Sequence, residues 1–281
     1  MKRVSKSFLC PICGKDHWCF VSDNGELAFC RRVASRITAK SGEWIHVLKP
    51  REAGVAPRRY VPPPVPVKHV VFDAARYHAG IRNAWDGVWL DGLAVSLGVN
   101  MDALERLHPG WDAFNKAVGF PMRDAEANVI GIRLRNFCGS KWAVSGSKDG
   151  LFFAPSLVLG ADRELVVCEG PTDTAAAYTL DLPAVGRSSC GTGLEWLKAL
   201  CSRLGARRVT IVADADTPKL LPDGTSYRPG IDGAMNLGKQ IKRMFRVVTP
   251  PKKDLREWVG FGCTRHEWEN WVGNFKWRPV Q

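Results

Sequence analysis

Two apolar runs end in acid. VTIVADAD at Val209–Asp216 closes on Asp214 and Asp216, and ELVVCEG at Glu164–Gly170 closes on Glu169 and a glycine. In an extended segment residues i and i+2 point the same way, so the two aspartates can share one target. If the runs are neighbouring strands, about 4.8 Å apart, all three carboxylates converge on one patch. Like charges at about 4 Å repel by on the order of 4 kcal/mol per pair at an effective dielectric of about 20, so the patch needs a cation or shared protons. Oxygen donors with no His or Cys alongside suit Mg²⁺ or Mn²⁺, and with them phosphate chemistry. A lone strand-end aspartate is more often a helix cap; the pair, with a glutamate at an equivalent strand end, favours the metal.

A second set of ligands lies at the start. CPICGKDHWC gives Cys10, Cys13 and Cys19, and Cys30 follows, while the remaining five of nine cysteines are scattered. The CxxC pair forms a knuckle suited to tetrahedral zinc, and Cys19 and Cys30 complete the site, with His17 the alternate third ligand. Some fifty residues have too little core to fold well alone, so one structural Zn²⁺ is expected there. The module closes near residue 50, and REAGVAPRRYVPPPVPVK follows. Its segment Val61–Pro66 favours extended polyproline at about 3.1 Å per residue, a semi-rigid spacer of roughly 20 Å.

The elements that must position the acids come after residue 160. ELVVCEG, PAVGRSS, RVTIVAD and RVVTPP read as strands, alternating with helices over TDTAAAYTL, GLEWLKALCSRLG and GAMNLGKQIKRMF. Strands alternating with helices imply a parallel sheet, whose ligands gather at the carboxyl ends of its strands. Earlier, LAVSLGVNMDALERL spaces Leu93, Leu97, Leu104 and Leu107 for short helices. NVIGIRLRNF alternates, with Ile130, Ile132 and Leu134 toward a core and Arg133 and Arg135 on the other face. KWAVSGSKDGLFFAP reads as a strand, a turn and a return strand. GAMNLGKQ fits the first seven positions of the phosphate-binding GxxxxGK pattern, yet Gln240 replaces the hydroxyl that would hold Mg²⁺ and no strand leads into it; Ala234, Leu237, Ile241 and Met244 make a helix stripe instead.

As a set, EGPTD at Glu169–Asp173, CGTG at Cys190–Gly193, DAD at Asp214–Asp216 and KKDLREW with Asp254 resemble the Toprim domain of bacterial-type primases, topoisomerases and some nucleases. The resemblance runs over about Arg163 to Trp258. It implies metal-dependent phosphoryl transfer, with Glu169 as general acid, base or metal-facing carboxylate, Asp214 and Asp216 as Mg²⁺ or Mn²⁺ ligands, and Asp173 and Asp254 as supporting acids beside the metals. The insert TPKLLPDGTSYRPGID at 217–232 departs from the short turn of many members. A zinc ribbon tethered ahead of such a core is similar to bacterial and phage primases, where the ribbon reads template bases. Those primases place a basic subdomain before the acid-bearing one, and Arg133, Arg135, Lys141 and Lys148 then become candidates for template or triphosphate contacts.

The expected architecture is α/β: a zinc ribbon over 1–50, a basic proline-rich linker over 51–67, a mixed α+β basic subdomain over 68–160, a Toprim-type parallel sheet flanked by helices over 161–258 and a tail over 259–281. A formal net charge of +12, from 40 Lys plus Arg against 28 Asp plus Glu, suits a nucleic-acid partner. No apolar run of about 18 residues and no secretory signal is present, so no membrane partner is expected and the chain reads as cytoplasmic. The function expected is a DNA primase, a nucleotidyltransferase with DNA-directed RNA polymerase activity, working on single-stranded DNA and nucleoside triphosphates. In a phage or mobile-element setting it would work beside a separate replicative helicase, since 281 residues leave no room for a motor. The alternatives are a Toprim-type nuclease using the same acids, or a non-catalytic DNA-binding adaptor of replication or recombination; a topoisomerase would need a further tyrosine-bearing domain.

Overall fold

A computed structural model describes residues 1–39, 42–48, 72–85, 87–188, 192–220 and 226–280. The linker expected over 51–67, most of the CGTG turn at 190–191 and the tip of the insert lie outside these residues. The chain divides into two compact units, Met1–Lys68 and His69–Gln281, each described by itself.

The first unit is a small antiparallel sheet of β1 (Lys2–Arg3), β2 (Phe20–Val21), β3 (Leu27–Cys30), β4 (Ile37–Thr38) and β5 (Trp44–Val47), in the order β1-β2-β3-β5-β4. Its buried cluster consists of Val4, Cys10, Cys19 and Cys30. Even with Val21 and Ala28 also buried, these side chains release too little apolar surface to order such a chain, so the stability must come from what the sulfurs bind.

The second unit opens with α1 (Ala74–Asn83), capped by the Asp73 carboxylate, then α2 (Gly87–Leu97) and α3 (Met101–Glu105). Antiparallel strands follow: β6 (Gly110–Asp112), β7 (Ala117–Arg123), β8 (Val129–Arg135), β9 (Lys141–Ala143) and β10 (Leu151–Phe152). The expected strand–helix alternation then runs through β11 (Glu164–Glu169), α4 (Gly170–Thr179), β12 (Ala184–Arg187), α5 (Leu194–Leu204) and β13 (Arg208–Val212). A two-strand hairpin of β14 (Lys219–Leu220) and β15 (Ser226–Tyr227) precedes α6 (Pro229–Gln240), β16 (Met244–Val248), α7 (Leu255–Gly260) and α8 (Arg265–Val272).

These strands form one mixed sheet in the order β16-β13-β11-β12-β10-β7-β8-β9, with β6 also on β7. The first four strands are mutually parallel, as expected, and β11 neighbours β13, which is what brings Glu169 near the aspartates. Two local expectations are corrected. The segment after β9 does not return onto β9: β10 crosses to pair with β7 on one side and β12 on the other, joining the antiparallel and parallel halves. The helix expected to run to Phe245 stops at Gln240, and Met244 is 41% exposed at the start of β16 rather than in the stripe of Ala234, Leu237 and Ile241. Lys242 at φ +53° turns the chain, and MFRVV, a β-rich run, is claimed by the ladder on β13.

The core has two main layers. One side of the sheet packs against α2, α3, α4, α7 and α8 through residues such as Leu97, Leu104, Phe120, Tyr178 and Trp268; the other holds α5 and α6 through Leu197, Leu200 and Leu237. Helices on both faces explain why β11 is apolar and buried from Leu165 to Cys168 and β13 is buried from Val209 to Val212, with Thr210 as its one polar side chain there. Among the described residues no helix is long and apolar enough to cross a membrane.

Candidate functional site

In the first unit the Sγ atoms of Cys10, Cys13, Cys19 and Cys30 all lie within 4.8 Å of one another. The knuckle closes through Gly14 N–H donating to the Cys10 carbonyl at 2.8 Å and Cys10 N–H to the Lys15 carbonyl at 2.9 Å, with Gly14 at φ +67°. Cys13–Cys19 and Cys19–Cys30 sulfur distances are 3.7 and 3.9 Å. Four sulfurs at about 2.3 Å from a tetrahedral zinc would stand about 3.8 Å apart, so the donor set fits Zn²⁺ without rearrangement. The amides of Arg32 and Val33 donate to Cys30 Sγ at 3.4 Å, and the Arg32 guanidinium reaches Cys13 and Cys19 at 3.8 Å. Burial resists a thiolate at Cys13, yet the Lys15 amide and the other three thiols outweigh it and lower that thiol to about 6. Burial pushes Cys19 up to about 12. His17 stays outside, exposed and paired with Asp16 at 2.5 Å, so the structure brings Cys19 and not His17 to the site.

The acids of the second unit meet at the carboxyl edge of the parallel strands. Glu169 ends β11, exposed, at the N-cap position of α4 without a side-chain cap hydrogen bond; Gly170, at φ +84°, and Pro171 open the helix. Asp173 follows one turn into α4 and is 7% exposed. β13 ends at Val212, two residues earlier than VTIVADAD suggests, and Ala213 and Ala215 N–H groups donate to the carbonyls of Val248 and Lys253. Those bonds hold the ADAD stretch against the chain leaving β16. There Asp254 caps α7 by accepting Glu257 N–H at 2.7 Å, and Arg256 N–H donates to Asp173 Oδ1 at 3.1 Å. Gly230 packs so closely beneath that a Cβ would stand 2.6 Å from the Asp214 carbonyl oxygen.

Electrostatics ties the five acids together. Burial, then Asp254, pushes the Asp173 carboxyl up to about 7. Burial, then Asp173, Glu169, Asp254 and Asp216, pushes Asp214 up to about 7. Among the described residues no second set of three or more ligand atoms gathers as tightly as the cysteines. The acids are near enough to repel one another. An all-oxygen set destabilised by its own charge fits Mg²⁺ or Mn²⁺, with Glu169, Asp173, Asp214, Asp216 and Asp254 available to hold it.

Cations face these acids. The cross-strand register places Val118, Arg135 and Lys141 in one row and Phe120, Arg133 and Ala143 in the next, all on one face of the sheet. Arg133, Arg135 and Lys141 line a cleft of ≈ 270 Å³ whose opposite wall is Glu169, Gly170 and Thr172. Burial lowers the Arg135 and Lys141 pKa values, and both groups also feel Asp173 and Asp254. Lys148 does not join them: it lines a separate cavity with Phe72, Asp73 and Ile130. A larger cavity of ≈ 510 Å³ opens at the amino ends of the parallel strands, but its Arg246 and Arg265 are already paired with Glu164 and Glu269.

Sequence reasoning passed over two arginines here. Arg187 ends β12 in register with Glu169 and is 6% exposed, donating to the Thr192 carbonyl. Arg256 binds both buried aspartates, by its amide to Asp173 and its guanidinium to Asp254 at 3.4 Å. The signal for Arg187 was present, since PAVGRSS ends a strand one neighbour from ELVVCEG. The GxxxxGK match lies inside α6, with no strand of the main sheet leading directly into it.

Neither a protein-family model nor a curated protein matches the sequence. The fold is similar to solved primase structures. The E. coli primase catalytic core matches at TM-score 0.56 and 15% identity, covering 73% of this chain and 79% of that one. The Aquifex aeolicus primase, in a structure of its zinc-binding and RNA polymerase domains, matches at 0.57 and 14%, covering 72% and 60%. A catalytic domain of a DnaG primase bound to single-stranded DNA matches at 0.54 and 15%, covering 73% and 78%. These likenesses show that the mixed α/β fold is shared with primase cores.

Proposed function

We propose that the chain is a DNA primase that makes short primers on single-stranded DNA by template-directed nucleotidyl transfer. The observation that carries this reading is the cleft in which the strand-end Glu169 stands with Arg133, Arg135 and Lys141, in a fold shared with primase cores. Its domain plan is the zinc ribbon, the basic subdomain with the cation row, and the Toprim-type acid-bearing segment.

Arg135 and Lys141, with Arg133, would hold template or triphosphate oxygens on their face of the sheet. The primer 3′-oxygen attacks the α-phosphorus, the new P–O bond forms as the bond to pyrophosphate breaks, and the hydroxyl proton leaves. Glu169, exposed at the mouth, is the carboxylate available to take that proton. Asp214 and Asp216 would hold Mg²⁺ or Mn²⁺ with Glu169, and Asp173 and Asp254 would set the charge behind them. When bound, the cation neutralises charge growing at the attacking and leaving oxygens. The chain's partners by chemistry are single-stranded DNA, nucleoside triphosphates and, in replication, a separate helicase in the same cytoplasmic compartment.

Purified protein given Mg²⁺ or Mn²⁺, single-stranded DNA and nucleotides should extend short oligomers, and Glu169→Gln should lower the rate by on the order of 10²-fold or more. Cutting of the DNA without incorporation would turn the reading to a nuclease. Binding with neither reaction would turn it to an adaptor.

A further inference from the structure

Three aromatic side chains from distant parts of the sequence meet at the end of the cation row. Trp89 of α2 stacks on Trp111 of β6 at 4.0 Å and 8°. Phe137 lies 6.1 Å from both rings, tilted by 32° and 40°. Trp111 pairs with Val118, Val118 with Arg135, and Arg135 with Lys141, so aromatic and cationic groups occupy one cross-strand row. At about 4.8 Å per strand the row spans roughly 14 Å. Phe137 sits in the turn that joins β8 to β9, two residues past Arg135.

That turn is built to hold its shape. Asn136 N–H donates to the Ser140 carbonyl, the Asn136 side chain accepts Ser140 N–H at 2.8 Å, and Gly139 N–H donates to the Asn136 carbonyl, with Gly139 at φ +88°. Polar residues suffice for such a turn, yet Phe137 presents a ring that is 50% exposed. Folding gains little from a half-wet ring there. A single strand of nucleic acid offers what the row complements: phosphates for the guanidinium and ammonium groups, and unpaired base faces for a flat ring. A duplex keeps its base faces stacked inside, and an apolar protein surface would leave Arg135 and Lys141 unmatched.

We propose that Phe137, backed by Trp111 and Trp89, is the step on which one unpaired base stacks while Arg135 and Lys141 hold the neighbouring phosphates. This deepens the reading of the cleft as a single-strand site and rests on it. Phe137 is a positioning residue: it sets where the strand lies relative to the acids.

The test uses the full zinc-loaded chain without nucleoside triphosphates or added Mg²⁺, so that no synthesis contributes, with a labelled oligothymidylate and an oligonucleotide carrying 2-aminopurine. Wild type should quench 2-aminopurine on binding. Phe137→Ala should bind single strands about tenfold more weakly, within the range of one lost base–aromatic stack, and lose the quench. Phe137→Leu keeps an apolar contact with Trp111 but no flat face and should match the alanine variant, whereas Phe137→Trp should restore both signals. The salt slope should stay unchanged in all three, while Arg135→Ala with Lys141→Ala should lower it by roughly 0.7 per lost phosphate contact. Unchanged affinity and quench in Phe137→Ala and Phe137→Leu, or an equal loss for duplex DNA, overturns the proposal. Intact stacking in a protein that makes no primers would remove the primase reading and leave this one standing.

Discussion

Replacing Asp173 by Asn probes how much the charged site costs the fold. The folded protein holds the Asp173 proton up to about pH 7, while an unfolded chain releases it near 3.8. Between those values the folded state binds more protons, so this group's contribution makes stability fall as pH rises through the window. Above pH 7 the full penalty is present. The gap from 3.8 to about 7 corresponds to about 4 kcal/mol for an isolated group. Asp214 titrates against the same charge and shares the relief when one of the two is neutralised, which brings the expected effect to about 2 kcal/mol. In a unit of this size that is about 4–8 °C in melting temperature. Asp173→Asn keeps an oxygen for the Arg256 amide and removes the charge. Melted in its zinc-loaded form with no Mg²⁺ or Mn²⁺ present, the variant should gain that much over wild type at pH 8 and nothing at pH 4, and added Mg²⁺ should stabilise wild type more than the variant. A variant that melts below wild type at pH 8, or shows the same pH profile, refutes the argument that buried like charge strains this edge.

Two further outcomes follow from local geometry. Cys19→Ser should lose zinc and unfold the first unit, while His17→Ala should retain one zinc per chain, both read by metal analysis and circular dichroism of the full chain; zinc loss in the histidine variant would move the site. Gly186→Ala should destabilise the second unit by about 1–3 kcal/mol in urea, because a Cβ there would stand 2.2 Å from Thr174 Oγ1 and 2.5 Å from the Gly170 carbonyl oxygen; an unchanged midpoint would show that α4 can lift from β12 freely.

The legible parts of this molecule are those whose signal is local. An apolar run that turns acidic within one residue, as at Cys168–Glu169, marks the end of a strand buried on both faces. A CxxC knuckle marks its own geometry. The parallel half of the sheet therefore came through, with the adjacency of β11 and β13 that the acids require. The illegible parts depend on partners elsewhere in the chain. Nothing within KDGLFFAP tells Leu151–Phe152 to leave β9 for β7 and β12. Met244 fits a helix stripe by period, and only the free edge of β13 claims it for a strand. Lys148 resembles Lys141 in sequence, but Lys141 lies opposite Arg135 while Lys148 lies farther along β8, its N–H on the Ile130 carbonyl, and the two stand in separate cavities. Trp89, Trp111 and Phe137 belong to no common motif, and they meet only where the fold brings α2, β6 and the β8–β9 turn together.

The join made by β10 has a mechanical meaning. Acids on the parallel half and cations on the antiparallel half are not carried by two bodies that swing about a linker. Two residues, hydrogen-bonded on both sides, make them parts of one plate. The gap between anionic and cationic walls is thus fixed by strand spacing, like the jaws of a calliper locked at one setting. Whatever enters must fit that setting by its own bending and sliding, and successive steps along a polymer would be counted by movement of the strand through a rigid gauge.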